Sequence, residues 1–516
     1  MSGGRATKRL GWNPSKAQSL HRSAGMRTAR LAAPILLLFV AAGCSVNPAT
    51  GKREFNIVSE GQEVQMGQEA HKEVIRQFGV YDEKPELNRM VDDIGKRLAA
   101  QSDRPNLPWH FTLLDTPMIN AMALPGGYIY VTRGMMERIN SQDELAGVIG
   151  HEIAHVTARH AAQRISRAQV AQFGMLLGSV IAGPQATQQF GQLAELAVGL
   201  LFQRYSRAQE TQADLIGTEY MAEARYNPIG AERMLMVLQR LDRGENSPLD
   251  RYFLSHPDPT KRVKDVRGKI TELAGKGFTG LPEPDRDRYI RQLDGVITGN
   301  STENIVIRNN TIYDRGHGLV IDAPAGWSPS AGEGMLFTMT PKNSRQQMMF
   351  QAQEVSNKQL QGYNVQDAVR RSFQQMGLQY VGSRPGPTRS GNTFPIDVWS
   401  GQTQSGQVGV ETTQFPHGDH VTVFLFVAPG VSQSQSPMAD LLQRTEVNSQ
   451  RTRSVEPPRM RVGVTKRGDT WAELARRATG NAVDAQTLAN INGYDLSQQP
   501  PVGLTVKLPE EVPRRN

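Results

Sequence analysis

His151-Glu152-Ile153-Ala154-His155 is the stretch on which the fold turns. Its two histidines stand four residues apart. On a helix that spacing stacks them on one face, about 6 Å apart along the axis, so both imidazoles reach one ion. Neutral imidazole suits Zn2+. Glu152 is turned by about 100° from His151. Its carboxylate then lies beside the ion without needing to bind it, where it can take a proton from a water. Upstream, Ser141-Gln142-Asp143-Glu144-Leu145 reads as a helix start with acids in the first turn. The pattern predicts a helix over about 142–165.

A catalytic zinc needs a third protein ligand and an open position. His160 follows His151 by nine residues, but the metzincin pattern puts Gly at 158 and His at 161, where this chain has Ala158 and Ala161. Residue 160 also points away from the 151/155 face, as it sits about 140° around the helix from His155. His160 is therefore read as a surface or core-edge histidine. The better third ligand is Glu210, within Tyr205-Ser206-Arg207-Ala208-Gln209-Glu210-Thr211-Gln212-Ala213-Asp214. Glu210 and Asp214 share one face of a second helix. Glu210 can bind the ion while Asp214 accepts the N–H of a ligating histidine and fixes its tautomer.

Outward from this site, Glu63, Met66, Ala70 and Val74 mark one earlier helix, and Leu87, Met90, Val91, Ile94 and Leu98 another. Tyr128-Ile129-Tyr130-Val131 reads as a strand entered through Pro125-Gly126-Gly127. Residues 170–203 are almost free of charge and broken by Gly183-Pro184; they read as a buried helical hairpin or an apolar flap. Residues 300–450 alternate strand-like runs with helices near 365–377 and 437–446, a small α+β domain. His417 and His420 flank the turn signal Gly418-Asp419 and read as turn histidines. Residues 447–460 are polar and carry Pro457-Pro458, so they read as a linker.

Together these motifs make the chain resemble the M48 peptidase family, which includes periplasmic bacterial proteases, a mitochondrial protease and the CAAX prenyl protease. The resemblance covers about 48–265. It runs from Asn47-Pro48-Ala49-Thr50-Gly51 through Asn120–Gly134, Glu144–Ala146 and His151–His160 to Tyr205–Asp214. It departs at Met122, where Phe is common. The resemblance implies a mainly α, zincin-like (gluzincin) metallopeptidase domain with a small edge-strand sheet and one Zn2+ per chain. His151, His155 and Glu210 become ligands and Glu152 the general base. It also implies that Asn120, Ala121, Gly126, Gly127 and Tyr128 belong to an edge strand that takes an extended peptide by strand addition. His256, in Ser255-His256-Pro257, resembles a histidine that some relatives hold near the zinc, as a gate or a transition-state group.

Two further likenesses lie beyond. Gly318–Trp327 resembles the opening of PsbP-like domains. Gly468-Asp469-Thr470-Trp471-Ala472-Glu473-Leu474-Ala475, with Leu488–Gly493 and Gly503–Pro509, resembles a βααβ LysM domain. Such domains bind peptidoglycan-type glycans.

At 516 residues the chain is too long for one core. Its formal charge is +8, but residues 1–43 hold seven basic residues and no acidic one. Beyond them stand 51 basic against 50 acidic residues, so nucleic-acid binding is not expected. Basic residues followed by the apolar run Leu31–Gly43 form a secretory leader, which Met26 alone would start well. Cys44, the only cysteine, follows Ala41-Ala42-Gly43, like a lipobox cysteine. Ser45 after it resembles the sorting signal for the outer membrane.

The expected organisation is a multidomain chain: leader 1–43, metallopeptidase 44–295, α+β domain 300–450, linker 451–460 and LysM-like domain 461–512. The expected function is a lipid-anchored, periplasm-facing zinc endopeptidase acting on unfolded or misassembled envelope proteins. Its expected partners are those polypeptides, a membrane through the N-terminal lipid, and peptidoglycan through the C-terminal domain. The alternatives are a non-proteolytic chaperone or scaffold and a peptidoglycan hydrolase.

Overall fold

The computed structural model describes residues 44–167, 204–241, 256, 259–279, 281–283, 285–302, 304–332, 335–341, 349–356, 365–375, 377–403, 406–417, 420–429, 436–479 and 483–510. The leader and the whole of the apolar stretch at 170–203 lie outside them. Among the described residues no helix is long and apolar enough to cross a membrane.

The helical part opens with β1 (Cys44–Val46) paired antiparallel to β2 (Arg53–Phe55). Two helices follow, α1 (Glu60–Phe78) and α2 (Pro85–Ala99). Ser59 and Gln62 close a reciprocal cap on α1, and Pro85 starts α2 at a position that needs no N–H. Each buries the stripe its periodicity predicts, Met66, Ala70 and Val74 in α1 and Leu87, Met90, Val91, Ile94 and Leu98 in α2.

A three-stranded sheet comes next: β3 (His110–Leu114), β4 (Ala121–Leu124) and β5 (Tyr128–Thr132), in spatial order β3-β5-β4. Short α3 (Arg133–Arg138) leads into α4 (Gln142–Thr157), which carries the two histidines. Ser141 caps α4 by accepting from the Glu144 amide at 3.1 Å. From Glu144 to Thr157 every residue of α4 is buried, so the helix is walled on all sides. Its neighbours are α2, β4, α5 (Arg207–Glu223) and α6 (Ile229–Leu241). Helices α7 (Pro259–Gly275) and α8 (Arg286–Gln292) complete this part.

The crossing of α4 and α5 is set by glycine. A Cβ on Gly217 would sit 2.7 Å from the Gly150 carbonyl carbon, a distance that real Cβ atoms do not reach. Two bare backbones therefore touch, and the faces holding His151 and Glu210 are drawn together.

The metal helix is shorter than its sequence suggests. It stops at Thr157, and helix resumes at 160–167. Between them Arg159 takes a left-handed conformation, φ 55°. That is uncommon for a non-glycine residue and needs support. Support comes from the buried Glu63 carboxylate at 2.7 Å and the Val58 carbonyl at 2.6 Å. Asn47 donates to the Ala158 carbonyl at 2.9 Å, closing the helix end.

A separate β-rich part follows. Strands β6 (Ile305–Arg308), β7 (Thr311–Asp314) and β8 (Leu319–Asp322) form one antiparallel sheet. The seven strands β9 (Trp327–Gly332), β10 (Met335–Pro341), β11 (Met349–Ser356), β12 (Gln379–Pro387), β13 (Thr393–Thr403), β14 (Gly406–His417) and β15 (His420–Pro429) form a second, in order β12-β13-β14-β15-β11-β10-β9. Helix α9 (Val365–Gln375) lies between β11 and β12 in sequence, and α10 (Pro437–Gln443) follows β15. Both sheets share one core that includes Ile312, Ile321, Phe337, Phe350, Phe415 and Phe424. His417 and His420 are register partners where β14 meets β15.

The span read as a linker is structured. Strand β16 (Thr445–Glu446), which joins β8, leads into it, and within it a 3-10 turn covers Gln450–Ser454 with Thr452 buried. The Ser449 amide donates to the Gly318 carbonyl at 2.8 Å. Long-range hydrogen bonding of this kind has no local signature, which is why the polar composition misled.

The C-terminal residues run β17 (Met460–Val464), α11 (Trp471–Ala478), α12 (Ala485–Ile491) and β18 (Thr505–Pro509). Their core centres on Trp471, Leu474, Leu488 and Val506. This unit is fastened to the helical part. Lys507 is fully buried, and its ammonium donates to the carbonyls of Glu137, Arg138 and Ile139 at 2.9, 3.2 and 2.9 Å. Those carbonyls end α3, one turn before the metal helix begins.

Candidate metal centre

Four donors converge between α4, α5 and the segment at 256. One ligand atom from each of His151, His155, Glu210 and His256 lies within 4.8 Å of all the others, and all four residues are buried. His151 Nε2 is 3.0 Å from His155 Nε2 and 3.3 Å from His256 Nδ1. Glu210 Oε1 is 3.5 Å from His155 Nε2, and both of its oxygens are 3.1 Å from His256 Nδ1. Glu152 stands beside the group, its Oε1 3.7 Å from His256 Nε2.

The charges explain how so many polar groups stay buried. Arg262 grips Asp214 with both arms of its guanidinium, Nε to Oδ2 at 2.6 Å and Nη2 to Oδ1 at 2.7 Å. Its Nη1 lies 2.9 Å from Glu210 Oε2. Burial pushes the Asp214 carboxyl up, but Arg262 outweighs it and holds the pKa below the usual range. Burial likewise opposes ionisation of Glu210, yet His256 and Arg262 hold it well below its ordinary value. Glu152 has less support. Burial raises it, against the pull of His256 and His151.

The donor set suits zinc. Asp214, being ionised, can only accept. The Nδ1 of His151, 2.9 Å from Asp214 Oδ1, therefore carries the proton, and Nε2 offers a lone pair. Burial lowers the His151 pKa, but the Asp214 hydrogen bond outweighs it and leaves it raised. Burial holds His155 well below its ordinary value, so it is neutral. Two imidazole nitrogens, an anionic carboxylate and a third imidazole facing one point make a cation site of the kind zinc prefers.

Three residues near the site were not read correctly from sequence. His160 is buried: its Nδ1 lies 2.9 Å from His155 Nδ1, and its Nε2 2.7 Å from Gln212 Oε1. Burial drives its pKa down to about 4. The turn at Arg159 swings it back, so extrapolating one unbroken helix from His155 put it on the wrong side. Tyr205 stacks on the His155 ring, centroids 3.8 Å apart, and the Arg164 guanidinium lies over the Tyr205 ring, 3.9 Å from its centroid. Arg262 was missed altogether. Its only signal was indirect, since two carboxylates buried side by side need a cation.

The expected peptide-binding residues divide. Of the five only Ala121 lies on an edge strand, β4, which pairs with the central β5. Asn120 precedes it, fully buried, its Oδ1 accepting from the Ala121 amide. Tyr128 lies in the central strand, whose two edges are already paired, so it cannot add a peptide backbone. Gly126 packs on the α1 backbone at Val64 and Gly127 on Trp109. A small cavity beside the site is lined by Leu124, Pro125, His155, Val156, Ala162 and Tyr205.

The model of peptidase family M48 matches residues 85–270. The mitochondrial metalloendopeptidase OMA1 of Schizosaccharomyces pombe is 31% identical over 238 residues, 45% of this chain and 68% of that protein. The chain belongs to peptidase family M48. The beta-barrel assembly-enhancing protease of Escherichia coli is 28% identical over 234 residues, 44% of this chain and 47% of its own length. That of Yersinia pestis is 30% identical, over 38% and 40%. The chain thus spans about two thirds of the yeast relative and under half of the bacterial ones. It is a metalloendopeptidase, and M48 peptidases use zinc. The family-model match, 85–270, lies in the helical part.

Proposed function

We propose that this chain cuts unfolded or misassembled proteins of the cell envelope, with His151, His155 and Glu210 holding zinc and Glu152 as the general base. The convergence of the four buried donors beside Glu152 carries this reading. Zinc, when bound, would lower the pKa of a water and polarise a scissile carbonyl. Glu152 takes the proton from the attacking water and returns it to the leaving amine. Its raised pKa favours both transfers near neutral pH. Asp214 and Arg262 hold His151 in one tautomer. Strand β4 at the sheet edge pairs with an extended peptide backbone, which reads little side-chain identity. His256 sits among the donors as a gate that withdraws to admit substrate.

The cellular setting extends the same reading. Cys44 is the lipidated residue, the chain faces the periplasm from the outer membrane, and the C-terminal βααβ unit, LysM-like, holds peptidoglycan. The PsbP-like likeness of the β-rich part supports no activity of its own. The name of the bacterial relatives, beta-barrel assembly-enhancing protease, supports an envelope substrate. A scaffold held shut is the second reading, favoured by His256 lying against Glu210. Zinc analysis with cleavage of casein and of an unfolded outer-membrane protein separates the two. Wild type should carry one zinc and cut; Glu152→Gln should carry zinc and not cut. Equal activity in both would sink the mechanism.

A further inference from the structure

The two histidines of the metal helix are backed differently. His151 leans on a carboxylate, Asp214, itself clamped by Arg262. His155 leans on another imidazole, His160, which leans on an amide, Gln212. We propose that His160 and Gln212 are positioning residues, a relay that fixes the tautomer of His155 so that Nε2 faces the metal as a lone pair. This rests on the reading of His155 as a zinc ligand.

The argument is a count of protons. Only one proton fits between two imidazole nitrogens 2.9 Å apart. The Gln212 Oε1 can only accept, so Nε2 of His160 is the protonated nitrogen. In the proposed relay that is the one proton His160 carries, so its bare Nδ1 accepts from Nδ1–H of His155. The proton of His155 is thereby committed to the side away from Glu210 and His151. The reverse amide orientation gives the reverse chain and would point an N–H of His155 at the donors. The direction of one amide therefore decides whether the site can bind a cation.

Placement depends on the chain reversal at 158–159. Without the left-handed Arg159, held by Glu63 and Val58, residue 160 would leave the site with the helix. Asn47, holding the Ala158 carbonyl, ties the segment preceding α1 into the same arrangement. Stacking of Tyr205 on His155 fixes the ring plane that the relay requires.

The test measures zinc affinity by chelator competition and ring tautomers by nitrogen-15 NMR on the zinc-loaded full chain. His160→Leu should weaken zinc by about 10–100-fold. His160→Asn, whose amide oxygen can take the place of Nδ1, should restore most of it. His155 should be protonated at Nδ1 and His160 at Nε2. Wild-type affinity in His160→Leu, or His160 protonated at Nδ1, would overturn the relay. Should His160→Leu not fold, Gln212→Leu replaces it at a half-buried position; it should bind zinc several-fold more weakly, and unchanged affinity overturns the proposal. His155→Ala separates the two claims. If it keeps zinc, the ligand reading fails; if it loses zinc while His160→Leu keeps it, only the relay fails.

Discussion

The helical part and the β-rich part bury different things. Around α4 the interior holds Glu63, Arg104, Glu152, Glu210, Asp214, Arg262 and three histidines of one cluster. In the β-rich part the interior is aliphatic and aromatic, with Phe337, Phe350, Phe415 and Phe424 at its centre. Its buried carboxylates are scattered and individually answered. Asp314 meets His317 at 2.8 Å, and Glu411 meets Arg384 and the Met438 amide. Burying an ion is costly unless it is paired, and a connected set of ions is a poor route to stability. A network of them around one point is kept for what it does there. Substitutions should therefore cost activity in the first region and stability in the second.

The largest expected effect is Glu152→Gln, a loss of about 10²–10⁴-fold in peptide hydrolysis with zinc content unchanged. Loss of zinc in that variant would place Glu152 among the ligands and break the division of roles. Next comes Arg262→Met. Zinc should bind about 10–100-fold more weakly, read by chelator competition. The variant also tests a pH dependence. Asp214 and Glu210 are depressed, so their contribution is present above the unfolded carboxylate range, about 4, and is lost as pH falls through the folded values. With the metal removed, acid unfolding of Arg262→Met should therefore begin at higher pH than in wild type. Identical acid curves would show that Arg262 does not hold those carboxylates down.

Phe424→Ala should cost about 3–5 kcal/mol in the β-rich part, seen as a lower melting transition. Hydrolysis of a short peptide at low temperature should stay at the wild-type rate. A changed rate would mean the two regions are coupled. Lys507→Met is the finest probe. Removing three hydrogen bonds, two of them fully buried, should cost about 1–3 kcal/mol in the helical part's own transition, with little change in rate. An unaltered transition would mean the C-terminal unit merely rests against α3.

Much of this was legible because helical burial is periodic. The stripes of α1 and α2, the strand at Tyr128 and the start of α4 at Ser141 follow from spacing and caps alone. Glu210 and Asp214 were legible for the same reason. The failures share a cause. The reversal at Arg159 depends on Glu63, almost a hundred residues away, so no local rule announces it. Arg262 and the structured span at 447–460 likewise depend on distant partners. One miss was local. Asn309 and Asn310 both take positive φ, 49° and 62°, between β6 and β7, a two-residue hairpin turn that asparagines favour. Each flanking strand has only four residues, too few for an alternation to stand out.

Anyone grafting the five-residue motif onto another scaffold would copy His151 to His155 and supply a carboxylate nearby. The contact between Gly150 and Gly217 says that this recipe is short by one ingredient. A methyl group on the second glycine, seven positions beyond Glu210, would wedge the helices apart. The donors would then miss one another although each was present. The tolerance of the whole centre is therefore about the width of a single carbon atom, and it is set by two residues that carry no side-chain chemistry of their own.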